Sequence, residues 1–467
     1  MRFASGSIRT RYSILKTAIP CLLIALAVAV ILPAGGAGVV TNPADGSLAS
    51  TPPMGWNSWD SYGPTVREDE VKANADYMAE HLLKFGWQYV IVDIEWYAPN
   101  TQAHGYIPGG NVTVDEFGRF VPAPNRFPSA ANGQGFAPLA AYVHSKGLKF
   151  GFHIMRGIPR EAVERNLPIK GTTYHAADIA DKVNVCKWEG MEDTYGVDMS
   201  KPGAQAYYDS IAELYASWGT DYIKADDMNT PARAAEILAL HEALIKTGRP
   251  IVLSLSPGPA LPEYGDFLAS TAQLWRISND FWDNWPALKR QFDITNNWES
   301  YSQPGHWPDA DMLPLGRIGI RAERGDDRSS LFTHDEQQTV MTLWSIFRSP
   351  LMFGGDLPSN DAFTLALITN PEVLAVDQQS TGGHQSYRQG DTIAWIADAP
   401  GGTAKYVAIF NIGDSTESAD LSWPDIGIPA EHEQVRDLWT HKDLGSQDRI
   451  SVSLPPHGSV LYEVEAK

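Results

Sequence analysis

The sequence predicts an α/β protein, a (β/α)8 TIM barrel followed by a C-terminal antiparallel β-sandwich. Three observations carry this reading. From Thr51 to about Gly355, short β-rich runs alternate with longer amphipathic stretches, the pattern of a parallel sheet wrapped by helices. Several of the runs end in charged residues, as in a barrel whose chemistry sits at the carboxyl ends of its strands. After about Asp377 the texture changes to short strands separated by Gly, Asp and Pro turns, which marks an antiparallel sandwich. At 467 residues the chain is too long for one ordinary domain, and a large barrel with a smaller companion fits it.

The amino-terminal segment reads as a targeting signal. Arg2, Arg9, Arg11 and Lys16 precede an apolar stretch from Ala18 to Leu32, and small residues follow from Ala34 to Gly38. That is the order of a secretory signal, expected over residues 1–37, and the stretch is short for a membrane span. Cleavage near Ala37 removes four basic and no acidic residues, taking the formal charge from −20 to −24. The mature chain is therefore expected to be secreted or periplasmic, without membrane contact. Residues 38–50, rich in Gly, Ala, Ser and Asn, read as a linker. Of the two cysteines, Cys21 and Cys186, only the second survives cleavage, so no internal disulfide is expected. The acidic balance disfavours phosphate backbones and anionic lipid, which argues against nucleic acid as a partner.

The barrel is expected over 51–370. Its clearest strands are Tyr89–Asp93, Lys149–His153, Asp221–Asp226, Ile251–Leu255 and Leu274–Ser278, with helices over Asp69–Phe85, Lys201–Trp218 and Pro231–Thr247. The sandwich, over 371–467, shows strands at Thr392–Ile396, Tyr406–Phe410, Val435–Trp439 and Ser451–Leu454.

Residues two apart on a strand share a face. Tyr222, Lys224 and Asp226 therefore point together, with Ile223 and Ala225 on the other side. A cation beside a carboxylate keeps it ionised, as a carboxylate nucleophile requires. Asp227 has the opposite parity and falls behind the first layer. Arg276, Ser278 and Asp280 repeat the pattern, and an Asp280 facing an ionised Asp226 would hold its proton more firmly. Two such carboxyls form the arrangement of glycoside hydrolysis. The structural alternative for each is an N-cap to the following helix. Trp56, Trp59, Trp96, Trp275, Trp282, Trp285 and Trp307 lie near strand ends, where aromatic rings offer platforms for a sugar face or simply pack the core. No His-Glu-x-x-His or paired-cysteine spacing, Gly-rich phosphate loop or Gly-x-Ser-x-Gly elbow is present, and no metal is expected.

Thr51-Pro-Pro-Met-Gly-Trp-Asn-Ser-Trp59, Tyr222-Ile-Lys-Ala-Asp226, Trp275-Arg-Ile-Ser-Asn-Asp280 and Trp307-Pro-Asp-Ala-Asp-Met-Leu313 resemble glycoside hydrolase family 27, the family of α-galactosidases and α-N-acetylgalactosaminidases. Arg348-Ser-Pro-Leu351, Glu372-Val-Leu-Ala-Val-Asp-Gln378 and Val435-Arg-Asp-Leu-Trp439 extend the match, which runs in order from Thr51 to Tyr462. The resemblance implies a barrel followed by a sandwich, retention of anomeric configuration and no cofactor. It makes Asp226 the nucleophile and Asp280 the acid/base, and it places Trp56, Asp93, Lys224, Arg276 and Asp311 around the sugar.

The sequence departs from the family pattern in three places. The usual pair of aspartates after the second strand reads Asp93-Ile94, with Glu95 next, and isoleucine cannot accept a hydrogen bond from a hydroxyl. Glu95 shares the parity of Asp93 and is the candidate substitute. His153 stands where tyrosine is common, and Ser256 lies in a Leu-Ser-Pro-Gly segment that replaces a Cys-Glu-Trp type. Met228 stands where many relatives carry cysteine. The first expectation is an exo-acting retaining α-galactosidase working on the ends of an oligo- or polysaccharide substrate. The alternatives are the same machinery on an α-N-acetylgalactosaminide, an isomaltosyl chain or a β-L-arabinopyranoside, or a carbohydrate-binding barrel without catalysis.

Overall fold

A computed structural model describes residues 48–188, 190–429 and 433–466. The expected signal segment and all but the last three residues of the linker lie outside the described residues. Eight short parallel strands form the barrel: β1 (Met54–Asn57), β2 (Tyr89–Val92), β3 (Lys149–Met155), β4 (Tyr222–Asp226), β5 (Val252–Leu255), β6 (Leu274–Arg276), β7 (Trp307–Asp309) and β8 (Leu351–Phe353). Each pairs in parallel with its sequence neighbour from β1 to β7, and β8 pairs with β1. The last seam closes just past β7, where Leu313 bridges Phe353 in parallel. A sheet whose strands follow chain order and return on themselves is a barrel.

Five of these strands are the runs expected from sequence. β1, β7 and β8 are three or four residues long, too short for a period of two to show. Gly55 on β1 is dictated by its neighbour, because a Cβ there would sit 2.4 Å from the Tyr89 carbonyl oxygen.

The connecting helices are α1 (Glu68–Tyr77), α2 (Ala137–Ser145), α3 (Ala204–Ser217), α4 (Ala234–Lys246), α5 (Gly265–Thr271), α6 (Trp285–Trp298), α7 (His334–Phe347), α8 (Ala362–Ile368) and α9 (Pro371–Gln379). The expected helix over Asp69–Phe85 is one continuous element that tightens and loosens: α1 runs into a π turn at Met78–Leu82 and a 3-10 turn at Leu83–Phe85. Strand parity sorts the core. Val90, Val92, Phe150, Phe152, Ile223, Ala225, Leu253 and Leu255 belong to the layer shared with the helices. Tyr89, Ile91, Tyr222, Val252, Leu274 and Met352 fill the barrel interior. The inward face therefore continues, at the strand ends, into Asp93, Lys224, Asp226 and Arg276.

The C-terminal part is antiparallel. β9 (Thr381–Gln389), β10 (Thr392–Asp398), β11 (Ala404–Asn411), β13 (Glu433–Asp437), β14 (Lys442–Gln447) and β16 (Ser459–Ala466) form a sheet in the order β9-β10-β11-β16-β13-β14. β12 (Glu417–Ser422) and β15 (Arg449–Leu454) pair as a second sheet. β10 is buried from Thr392 to Ala397 because its two faces meet different partners. Ile393, Trp395 and Ala397 join the core shared with α7, while Ala394 and Ile396 pack with Trp423 and Val407 between the two sheets. That explains an unbroken apolar run in an antiparallel strand, where one wet face is the rule. Among the described residues no helix is long and apolar enough to cross a membrane. Cys186 is a free, buried thiol whose pKa burial pushes up to about 12.

Candidate active site

The carboxyl ends of the barrel strands open on a cavity of about 500 Å³. Its wall gathers Asp93, Lys224, Asp226, Ser256, Arg276, Asp280 and Asp311, all singled out from sequence, from four strand ends and the segment after β7.

Asp226 closes β4, inward like Lys224 because the two are separated by one residue. Its Oδ2 lies 3.0 Å from His153 Nε2, and the amide of Asp227 reaches its Oδ1 at 3.3 Å. Burial by itself would raise the Asp226 pKa. The His153 hydrogen bond and the neighbouring Lys224 charge outweigh it and hold the carboxyl below the ordinary aspartate value. His153 is wholly buried and its Nδ1 has no partner; because an ionised carboxylate only accepts, Nε2 is the donor to Asp226.

Lys224 Nζ donates to Asp93 Oδ2 at 2.9 Å, and Asn57 Nδ2 donates to the same oxygen at 2.8 Å. The Ile94 amide reaches Asp93 Oδ1 at 2.8 Å. Against its burial, the charges of Lys224 and His153 and the Lys224 and Ile94 hydrogen bonds bring the Asp93 pKa down to about 2. On the opposite side, Arg276 bridges the two other acids: Nη1 to Asp311 Oδ1 at 2.8 Å and Nη2 to Asp280 Oδ1 at 3.3 Å. Asp311, with φ of 90°, also accepts from the Phe281 amide at 2.7 Å. Burial and the charges of Asp280 and Asp309 push Asp311 upward against the pull of Arg276. The side chain of Asp280 is 42% exposed, whereas that of Asp226 is 9% exposed. One carboxyl thus faces exchangeable solvent while the other is enclosed.

Three expected site residues fall off the wall. Trp56 is buried in the layer behind β1 and donates its indole N–H to the Gly355 carbonyl at 2.8 Å. Alternation sends Trp56 outward, and the indole at the mouth is Trp59, three residues later, where the chain has turned into a short helix. His153 stands behind Asp226 instead of lining the cavity. Glu95 is also absent from the wall. Its φ of 62° interrupts the strand alternation, and its carboxyl is buried where burial, then the Asp193 charge, raise its pKa to about 8. Ile94 lies on the wall in its place.

Sequence reasoning missed Asp60, Tyr106, Trp188, Glu323 and Arg324, all of which line the cavity. Asp60 follows directly on Trp59 after β1, so its position beyond a strand end was a usable signal. The others come from long irregular connections with no period to read. Asp227, of opposite parity, turns away as expected and pairs with buried Arg156 at 2.7 Å. Among the described residues no group of three or more His, Cys, Asp or Glu is placed to hold a metal ion.

Comparison with known proteins gives this geometry a setting. A family model described as "Alpha galactosidase A" matches residues 170–379, and one described as "Alpha galactosidase C-terminal beta sandwich domain" matches 389–464. The structure of a variant GH27 β-L-arabinopyranosidase from Geobacillus stearothermophilus in complex with arabinose is 49% identical with a TM-score of 0.88, covering 90% of this chain and 99% of that one. A Bacillus halodurans protein, named provisionally as an α-N-acetylgalactosaminidase, is 45% identical with a TM-score of 0.80, covering 89% and 97% of the two chains. The α-galactosidase of Coffea arabica is 30% identical over 429 residues, 89% of this chain and 94% of that protein. With sequence, barrel, sandwich and family models in agreement, the chain belongs to glycoside hydrolase family 27, a family of retaining glycosidases.

Proposed function

We propose that this glycosidase is an exo-acting β-L-arabinopyranosidase that releases terminal β-L-arabinopyranose from oligo- or polysaccharides. The observation that carries the proposal is Ile94 on the cavity wall beside Asp93. β-L-Arabinopyranose has the ring of α-D-galactopyranose with hydrogen in place of the C6 hydroxymethyl group. A galactose-specific pocket needs an acceptor for that extra hydroxyl, and a buried hydroxyl left unpaired costs affinity. Ile94 offers none, and Glu95 is turned away. A sugar that lacks the group matches an apolar wall. The name of the Geobacillus relative agrees with this reading and supports it over the α-galactosidase first expected from sequence.

Asp226 attacks the anomeric carbon as Asp280 gives its proton to the glycosidic oxygen, and the aglycone leaves with that proton. A glycosyl ester to Asp226 results. Asp280, now a carboxylate, takes a proton from water, whose oxygen attacks the same carbon and expels Asp226; two inversions leave the configuration retained. His153 engages Oδ2, so the more weakly held Oδ1 is the freer atom for attack. Lys224 and His153 keep Asp226 ionised. Arg276 holds Asp280 and Asp311 in place by its two ends. The basic and apolar amino-terminal segment adds export from the cytoplasm to the proposal.

The test is hydrolysis of a panel of p-nitrophenyl glycosides: β-L-arabinopyranoside, α-galactoside, N-acetyl-α-galactosaminide and α-glucoside, with D226N as control. The expected result is a kcat/KM on the arabinopyranoside at least roughly tenfold above that on the galactoside, abolished in D226N. Faster turnover of the α-galactoside or of either other sugar would move the specificity to that sugar and overturn the reading of Ile94.

A further inference from the structure

Among the described residues, Asp60 is the one cavity-wall carboxyl without a hydrogen-bond or ion-pair partner. It is 1% exposed, neither of its oxygens takes part in a hydrogen bond or ion pair, and its Oδ2 is sealed from solvent. Asp93, Asp226, Asp280 and Asp311 are all engaged by Lys224, His153 or Arg276. The surrounding chain is shaped to admit this carboxyl: a Cβ at Gly354 would lie 1.9 Å from Asp60 Oδ2, so only glycine leaves the space. A buried polar group without a partner lowers the stability of the empty protein. Such a group on the wall of a binding cavity is satisfied when the ligand arrives.

We propose that Asp60 is a substrate-binding residue that hydrogen-bonds a ring hydroxyl of the bound sugar, a role that rests on the glycosidase reading of the same cavity. Burial, then the charge of Asp311, push the Asp60 pKa well above the aspartate range, with Lys224 opposing. Burial thus favours the protonated form, which can donate and accept at once, as a hydroxyl partner requires. With Ile94 contributing no polar atom, Asp60 restores to this pocket a hydrogen-bonding group that does not depend on a C6 hydroxymethyl. It would grip pentopyranose and hexopyranose alike.

Two substitutions separate this from a structural role. D60L keeps the branched shape and removes both polar atoms, its methyl groups being bulkier than the oxygens they replace; D60N keeps a donor and an acceptor in the same plane. Each is assayed for kcat/KM on the aryl glycoside the wild type hydrolyses best, for binding of the free sugar by calorimetry in the D226N background, and for thermal unfolding without ligand. The proposal expects D60L to lose roughly tenfold or more in kcat/KM and in sugar affinity, with D60N recovering most of that loss. It also expects D60N to unfold at no lower temperature than wild type, because the empty protein gives the carboxyl no partner to lose. Wild-type affinity and turnover in D60L would overturn it. So would a joint loss of stability and affinity in D60L that D60N fails to rescue. If the wild type prefers a sugar other than arabinopyranose, the specificity proposal fails, and the Asp60 comparison is still read on that sugar.

Discussion

His153→Phe isolates what the buried imidazole does for Asp226. Phenylalanine keeps a planar ring at the position, somewhat bulkier than imidazole, and the Nδ1 that finds no partner in the native protein disappears with the ring. What is lost is the 3.0 Å hydrogen bond from Nε2 to Asp226 Oδ2. A hydrogen bond to a charged group contributes about 1.5–3 kcal/mol, which sets a fall in kcat/KM on the order of 10- to 100-fold. The more basic carboxylate that remains offsets part of this. The pH profile is the sharper readout. Asp226 sits below its ordinary pKa because the His153 bond and nearby charges overcome burial; without the bond its pKa rises. The acid limb of kcat/KM, which reports ionisation of the free enzyme, should move to higher pH. The stability sign follows: a depressed carboxylate adds stability above its unfolded pKa that is lost as pH falls through the folded value. H153F should therefore lose stability near neutrality relative to acid. The assay is kcat/KM against pH on the preferred aryl glycoside. An unmoved acid limb with kcat/KM within about twofold of wild type would refute the coupling.

The remaining expectations concern the two walls of the pocket and the isolated thiol. I94D should raise the ratio of α-galactoside to β-L-arabinopyranoside turnover by roughly tenfold or more, at a cost of about 1–3 kcal/mol in stability from a second carboxyl buried beside Asp93; an unchanged ratio in paired kinetics refutes the role given to Ile94. In K224M, Asp93 loses the cation that helps bring its pKa to about 2. The about 2 kcal/mol that the depressed Asp93 pKa adds above the unfolded aspartate pKa depends in part on this cation, so denaturant unfolding should show a larger deficit at pH 7 than at pH 3. Cys186, with its pKa near 12, should resist iodoacetamide at pH 8 in the native protein and react on unfolding, as mass spectrometry would show.

Much of the protein was legible along the chain. Five barrel strands, the change to a sandwich and the inward parity of Tyr222, Lys224 and Asp226 follow from a period of two that local sequence carries by itself. Asp93, Arg276, Asp280 and Asp311 followed from their place in recognisable segments beyond strand ends. Parity holds only while the backbone stays extended, and the site begins where it stops. A single left-handed residue, Glu95, turns one carboxyl off the wall and leaves Ile94 on it. Trp59 replaces Trp56 at the mouth because the chain coils after Asn57. Tyr106, Trp188 and Glu323 arrive from connections that have no period, and Asp60 is exceptional only because nothing in three dimensions pairs with it. Sequence determined the fold, which depends on patterns repeated over many residues, and picked out from short recognisable segments the two aspartates proposed to react. Tertiary structure decided which few side chains line the cavity, since that turns on single dihedral angles and on contacts between residues far apart in the chain.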